Sequence, residues 1–182
     1  MSTRDDTLAE MRASWHEAEA VLARIPEDRM LVPGVTGEWS VRDLLAHVAG
    51  YERYVSALIF GELERRTPTN QDFYGRDDPP TAEDDANDDT SNAWVVAHAR
   101  AQPLQTTLDE YRWAHDRMIR AVEACSDADL EDPMRFPSLK GKTLLAILPG
   151  QCIGHHREHL PQLTAFAAAD AQDTTVSKNP ST

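Results

Sequence analysis

Residues 40–58 read SVRDLLAHVAGYERYVSAL, and their pattern is the clearest indication of the fold class. Ser40 is a favourable helix N-cap, and Asp43 three positions later gives an acidic variant of the capping box. Apolar side chains then recur three and four positions apart, which is the period of one helix face. The members of this stripe are Leu44, Val48, Tyr51, Val55 and Leu58. The stretch therefore predicts an amphipathic helix that begins at Ser40 and fades near Glu64.

Three further segments carry the same period. The first runs from about Asp5 to Ile25 and ends at Pro26. The third begins after Pro103, is preceded by a shorter helical piece over about 91–101, and has an apolar stripe that includes His115. The fourth begins after residue 142 and extends to about Phe166. Four helices around one core, with no period-two segment long enough to indicate a sheet, predict an all-α antiparallel four-helix bundle.

The fourth segment also contains residues that disturb a helix. Pro149-Gly150 and Pro161 lie within its pattern, so each should bend or interrupt the helix. We expect the bundle to occupy residues 1–169 and a flexible polar tail to occupy residues 170–182. The link over about 67–90 is too long for an ordinary bundle loop and is acidic, which is typical of a crossover, a functional loop or a disordered segment.

Composition excludes several classes of protein. The chain has 182 residues, of which 41% are hydrophobic, and this predicts a single domain. Its 18 Lys and Arg against 31 Asp and Glu give a net charge of −13, which argues against nucleic acids and anionic membranes as partners. Cys125 and Cys152 are too few for a disulfide scaffold. Without a long apolar run or a signal segment, the expected location is the cytoplasm.

Histidine placement is the most informative feature. His155 and His159 are four positions apart on the apolar stripe of the fourth helix, so they project inward from one face and could ligate one metal ion. His47, beside the stripe of the second helix, is a candidate third ligand, although a core-edge histidine bonded to a backbone carbonyl is an alternative. His156 should point elsewhere. His115 is either a hydrogen-bonded core histidine or a residue that lines the same cavity.

Two motifs resemble a known family. Residues 37–49, GEWSVRDLLAHVA, resemble the second-helix signature of the DinB-like superfamily, which includes the mycothiol-dependent maleylpyruvate isomerase N-terminal domains. Residues 155–163, HHREHLPQL, resemble the fourth-helix signature of its ClbS/DfsB-like branch. The resemblance extends over nearly the whole chain to about Ala168. The sequence departs from the branch at His156, where an aromatic residue is frequent, and in its longer acidic insert.

The resemblance implies a four-helix bundle that holds a divalent metal ion, usually zinc or nickel, with one histidine from the second helix and two from the fourth. The corresponding residues here are His47, His155 and His159. Homodimers are common in such families, so we expect a homodimer. Glu158 and Tyr51 are candidate catalytic residues next to the metal. The alternatives are an exposed Glu158 that pairs with Arg157 or Arg120, and a Tyr51 that is part of the core. Gln162, His115 and Tyr54 are candidates for the substrate pocket.

A three-histidine metal site would activate either water or a thiol. The first route leads to hydrolysis, and the second leads to thiol transfer or isomerisation with a low-molecular-weight thiol as cofactor. The leading hypothesis is therefore a metal-dependent enzyme that acts on a small reactive metabolite, in a detoxification or self-resistance role. One alternative is a small-ligand binding protein whose metal is structural or absent. Another is an interaction protein whose acidic loop binds a basic partner.

Overall fold

The computed structural model describes residues 2–75 and 88–176, with side chains described for residues 2–75 and 92–169. These residues form helices and connecting turns and contain no strand, which confirms the all-α prediction. The helices are α1 (Thr3–Leu22), α2 (Val41–Glu64), α3 (Asn70–Tyr74), α4 (Asp88–Arg100), α5 (Leu104–Glu123), α6 (Asp127–Glu131), α7 (Leu144–Leu148) and α8 (Gly154–Val176). None of the described helices combines the length and the apolar character needed to span a membrane.

The four long helices α1, α2, α5 and α8 form the bundle, with α2 against α5 and α1 against α8 as the main packing pairs. Two buried apolar clusters fill its interior. One surrounds Leu44 and Tyr111, and the other surrounds Met118 and Leu148. Removal of these side chains from water is the main stabilising contribution, at about 25 cal/mol per Å² of apolar surface. The stripes that predict the helices are therefore the surfaces that form the core.

The predicted capping box starts α2. Ser40 Oγ accepts a hydrogen bond from the Asp43 main-chain N–H at 3.3 Å, and Asp43 Oδ2 accepts one from the Ser40 N–H at 2.9 Å. Asp43 also accepts two hydrogen bonds from the Arg100 guanidinium, at 2.8 and 3.0 Å. The start of α2 is thereby joined to the end of α4, which holds α4 alongside α2.

The interval predicted to be a long link contains helical structure at both ends. Asn70–Tyr74 forms α3, and α4 begins at Asp88 rather than near residue 91. A five-residue helix is too short to show a helical period, so α3 could not be predicted from the apolar pattern. Asp72 Oδ2 accepts the Thr69 N–H at its start. Residues 76–87, which carry much of the acidic run, lie outside the described residues.

The fourth segment is divided, as Pro149-Gly150 predicts. Helix α7 ends at Leu148, a π-helical turn occupies Pro149–Ile153, and α8 follows from Gly154. Pro161, by contrast, lies inside α8 and does not interrupt it. Its side chain is exposed, so its ring faces solvent and not the packed core. The helix continues to Val176, into the interval where we expect a tail, and residues 177–182 lie outside the described residues.

Candidate metal centre

Three histidines converge where α8 faces α2. His47 comes from α2, and His155 and His159 come from consecutive turns of α8. Their ligand nitrogens all lie within 4.8 Å of one another, and the Nε2 atoms of His47 and His155 are 2.8 Å apart. His47 and His155 are buried, and His159 is half-buried. The residues that the sequence predicts as metal ligands are therefore close enough together to bind a single metal ion.

The π-helical turn sets the direction of the α8 histidines. It ends at Gly154, whose N–H donates to the Pro149 carbonyl oxygen. A Cβ on Gly154 would lie 2.3 Å from that oxygen, so the turn requires glycine at this position. A π turn adds one residue to the helical register, and such insertions occur frequently at functional sites. Without it, the residues that follow would be rotated away from His47.

Burial keeps the imidazoles in the neutral form that binds metal. Desolvation, followed by the proximity of His47, His159 and His156, lowers the pKa of His155 to about 3. Desolvation also lowers the pKa of His159, against the opposing effect of the Glu158 carboxylate. Both side chains are therefore uncharged near pH 7, and each carries a nitrogen lone pair that can bind a cation.

A residue of α4 orients His47. Its Nδ1 donates to Asn92 Oδ1 at 2.7 Å, and this leaves Nε2 as the lone-pair atom that faces His155. Metal-binding histidines are commonly fixed in this way through the second ring nitrogen. Asn92 was missed from the sequence, because a polar residue on the short α4 pattern gives no signal of contact with α2.

Several ring nitrogens of the centre have no hydrogen-bond partner among the described residues. Among the described residues, His155 Nδ1 and both ring nitrogens of His159 are buried and have no hydrogen-bond partner. Buried polar atoms without partners are costly, so a group that satisfies them would stabilise the fold. A divalent cation bound by the three histidines would satisfy one nitrogen of each ring, and imidazoles are common ligands of such cations, so the residues present fit a divalent metal ion.

A cavity of about 420 Å³ opens beside His47, between α2, α3 and α4. Its wall is rich in aromatic rings. These rings belong to Tyr51, Tyr54, Phe73, Tyr74 and Trp94. The Tyr51 ring meets those of His47 and His155 edge-on, with centroids 5.0 and 4.8 Å apart. Arg53 and Glu110 add one charge of each sign to the wall.

The other candidate residues are distributed differently. Tyr51 and Tyr54 line the cavity, as does His98. Glu158 is exposed on α8, and its neighbour Arg157 pairs with Glu10 of α1 instead. Gln162 lies outside the cavity, with its amide placed to donate to the His159 main-chain carbonyl at 3.0 Å. His115 also lies outside the cavity, in a second group of polar side chains.

That second group joins three helices behind the first. Glu52 of α2 accepts from His115 Nδ1 of α5 at 3.2 Å and lies 3.6 Å from His156 Nε2 of α8. The Cys152 thiol donates to the same Glu52 oxygen at 2.8 Å. Glu52 is fully buried, and Trp15 stacks on His115 at 4.1 Å between ring centroids. His156 does point away from His47, as its spacing predicts, but into this group.

Glu52 is the main residue that sequence reasoning missed. A signal existed, because Leu45, Glu52 and Ile59 repeat at seven positions, which places Glu52 on a second inward face of α2. The stripe through Leu44, Val48 and Tyr51 describes only one side of a helix that is buried on most sides. A carboxylate at an otherwise apolar heptad position is the feature that should have indicated a buried partner for it.

Comparison with known proteins agrees with this architecture. The sequence model of the DinB superfamily matches residues 10–163 of the chain. The chain belongs to the DinB superfamily. Among solved structures, this DinB-superfamily chain is similar to an uncharacterised protein from Escherichia coli UTI89, with a TM-score of 0.72 and 13% identity over 94% of this chain and 96% of the other. At that identity the likeness concerns the fold. No curated protein matches the chain.

Proposed function

We propose that this DinB-superfamily protein is a metal-dependent enzyme whose centre is formed by His47, His155 and His159. The observation that carries the proposal is the convergence of three histidine side chains at the wall of an aromatic cavity. Three protein ligands that leave a coordination position open are typical of catalytic rather than structural metal sites. A cavity on one side gives a small molecule access to that position.

Different side chains of the site have different roles in this proposal. The three histidines hold the cation, and Asn92 holds His47 in the tautomer that binds it. A bound zinc or nickel ion supplies Lewis acidity, which lowers the pKa of water or of a thiol. Tyr51 lies against two of the ligands and presents a hydroxyl-bearing ring to the cavity. Arg53 and Glu110 supply polar contacts that orient a substrate.

The substrate we propose is a small electrophilic or hydrolysable metabolite with a flat, apolar body. The aromatic wall favours such a body through stacking and edge contacts. Hydrolysis and thiol transfer are the two reactions that the centre supports, the second with a low-molecular-weight thiol. The motif over residues 155–163 favours the ClbS/DfsB-like branch and a detoxification or self-resistance role. Homodimer formation is part of the same proposal.

A second function, sequestration of a small ligand without chemistry, is favoured by one observation. The cavity has a largely apolar lining, and such a lining binds a flat ligand without any contribution from a metal. In that case the three histidines hold a structural ion or none. The two functions differ in turnover: the enzyme should lose it when a metal-binding histidine is removed, whereas a sequestering protein has none.

The test compares His47→Ala with His16→Ala, a control that removes an exposed histidine outside the cavity. We expect His47→Ala to lower the metal content by about one ion per chain, measured by mass spectrometry of the purified protein, and to abolish turnover of reactive esters, epoxides or thiol conjugates. The control should retain both. Wild-type protein that turns over such substrates equally well after complete removal of metal would refute the enzyme proposal.

A further inference from the structure

His155 and His156 are adjacent on α8 and serve different groups of side chains. His155 faces His47, whereas His156 lies 3.6 Å from the Glu52 carboxylate on the other side of the helix. Successive residues on an α-helix diverge by about 100°, so one short segment of α8 can supply two separate sites. We propose that Glu52, His115 and His156 form a second site for a divalent first-row cation such as Zn²⁺, with a structural role.

The spacing of the three donor atoms is that of a coordination polyhedron. Zinc bonds of about 2.0–2.2 Å to nitrogen and carboxylate oxygen place tetrahedral ligands about 3.3–3.6 Å apart. Glu52 Oε1 lies 3.2 Å from His115 Nδ1 and 3.6 Å from His156 Nε2. The second distance is too long for a hydrogen bond. All three donor atoms lie within 4.8 Å of one another, so a single ion can reach each of them.

Hydrogen bonds within the described residues leave this group incomplete. Glu52 Oε2 and both ring nitrogens of His156 are buried without a partner. Glu52 and His156 are 0% and 3% exposed, so water does not replace the missing contacts from the surface. A buried carboxylate without a balancing cation is strongly unfavourable. A divalent ion supplies that charge and at the same time binds the His156 lone pair.

Burial and connectivity indicate a structural role for this site. Its ligands come from α2, α5 and α8, so one ion would join three of the four bundle helices. Trp15 of α1 covers His115 through ring stacking, and the cavity beside His47 does not reach any of the three ligands. Cys152 borders the site and donates its thiol to Glu52, which fixes the orientation of the carboxylate. Three ligands leave one coordination position open, but the cavity beside His47 does not extend to it, so an ion here would stabilise the fold rather than bind a substrate.

The experiment uses a background variant, His47→Ala/His159→Ala, in which the first centre has lost two of its three ligands. After zinc loading and desalting, we expect mass spectrometry to find about one zinc ion per chain in this background and about two in the wild type. Adding His115→Phe and His156→Phe, which keep a planar ring at each position, should reduce the zinc content of the background variant to less than about a tenth of an ion per chain. His16→Phe is the matched control, because His16 is exposed and belongs to neither site.

A second measurement covers the case in which the phenylalanine variants do not fold, as judged by far-ultraviolet circular dichroism. X-ray absorption spectroscopy at the zinc edge, on the background variant alone, should then report two imidazole ligands and one oxygen ligand. A background variant that binds no zinc would overturn the second site, as would zinc that survives the two phenylalanine substitutions in folded protein. Neither result bears on the first centre. That centre would be refuted by a different outcome, in which the wild type binds a single zinc ion and its ligands are Glu52, His115 and His156.

Discussion

The Nε2 atoms of His47 and His155 lie 2.8 Å apart, although 108 positions separate the two residues in the chain. The contact requires the packed bundle, since it joins the first half of α2 to the start of α8. Two lone pairs at this distance repel each other unless a proton or a cation lies between them. The relationship therefore links the stability of the protein to metal binding and to the protonation of these rings.

The first prediction concerns acid. Burial keeps the pKa of folded His155 at about 3, whereas its ordinary value is 6.5. Between these values the unfolded chain binds the extra proton, so the free energy of unfolding of the metal-free protein falls as the pH falls. For this one group the loss at pH 5 is about 2 kcal/mol. Urea unfolding at pH 7.5 and pH 5 after chelation should show a smaller difference for His155→Phe than for the wild type.

The exposed His16 is the control for that experiment. His16→Phe should keep the full pH dependence, because His16 lies outside the buried groups. Equal pH dependence in His155→Phe and the wild type would contradict the assignment of this acid sensitivity to His155.

The second prediction concerns the π-helical turn. A methyl group on Gly154 would collide with the Pro149 carbonyl oxygen, whereas a methyl group on Gly150 in the same turn meets nothing within 4 Å. We expect Gly154→Ala to lower the free energy of unfolding by about 2–3 kcal/mol and to weaken zinc binding, because the turn must rearrange. Gly150→Ala should change stability by less than about 1 kcal/mol. Equal effects of the two substitutions, measured by urea unfolding and zinc titration, would show that the turn does not set the register.

The third prediction concerns the joint between α2 and α4. Asp43 is buried, caps α2 and pairs with Arg100. Asp43→Ala should cost about 2 kcal/mol in unfolding free energy, because it removes both the cap and the ion pair. Arg100→Ala should cost about 1 kcal/mol, because the Arg100 side chain is half-exposed and solvent screens its charge.

A double-mutant cycle separates the two contributions to that joint. We expect a coupling of about 0.5–1 kcal/mol between Asp43 and Arg100. Arg12 and Glu123 form a comparison pair at 2.6 Å in which both side chains are half-exposed, and their coupling should be close to zero. Coupling of similar size in the two pairs would mean that burial of Asp43 contributes nothing to its interaction with Arg100.

The fourth prediction separates the two tyrosines of the cavity. Tyr51 contacts two ligands of the centre, whereas Tyr54 is 46% exposed at the rim. If the Tyr51 hydroxyl takes part in proton transfer, Tyr51→Phe should lower kcat by about 100-fold or more with an unchanged metal content. Tyr54→Phe should leave kcat within about twofold. A Tyr51→Phe enzyme with wild-type kcat would assign Tyr51 a purely structural role.

The sequence predicts the helices well because each long helix buries one continuous face. The stripes on α1, α2, α5 and α8 give the all-α class and the bundle, and Ser40 with Asp43 gives the start of α2. Short elements such as α3 escape prediction, because five residues contain little more than one turn of the pattern. The spacing of His155 and His159 likewise gives their shared face, since it depends on local helix geometry alone.

Other features depend on the packing of distant segments, which no local period contains. The contact of Asn92 with His47 and the meeting of Glu52 with His115 and His156 arise only when separate helices pack. His115 is an example. Its position on the α5 stripe fits either a hydrogen-bonded core histidine or a cavity-lining residue, and its contact with Glu52 supports the first interpretation. Local sequence patterns suffice to predict the helices, their inward faces and the ligand pair on α8, because backbone geometry repeats every 3.6 residues. Tertiary structure decided which histidine faces which site, because one π-helical turn and the packing of α2 against α5 and α8 set the rotation of each helix.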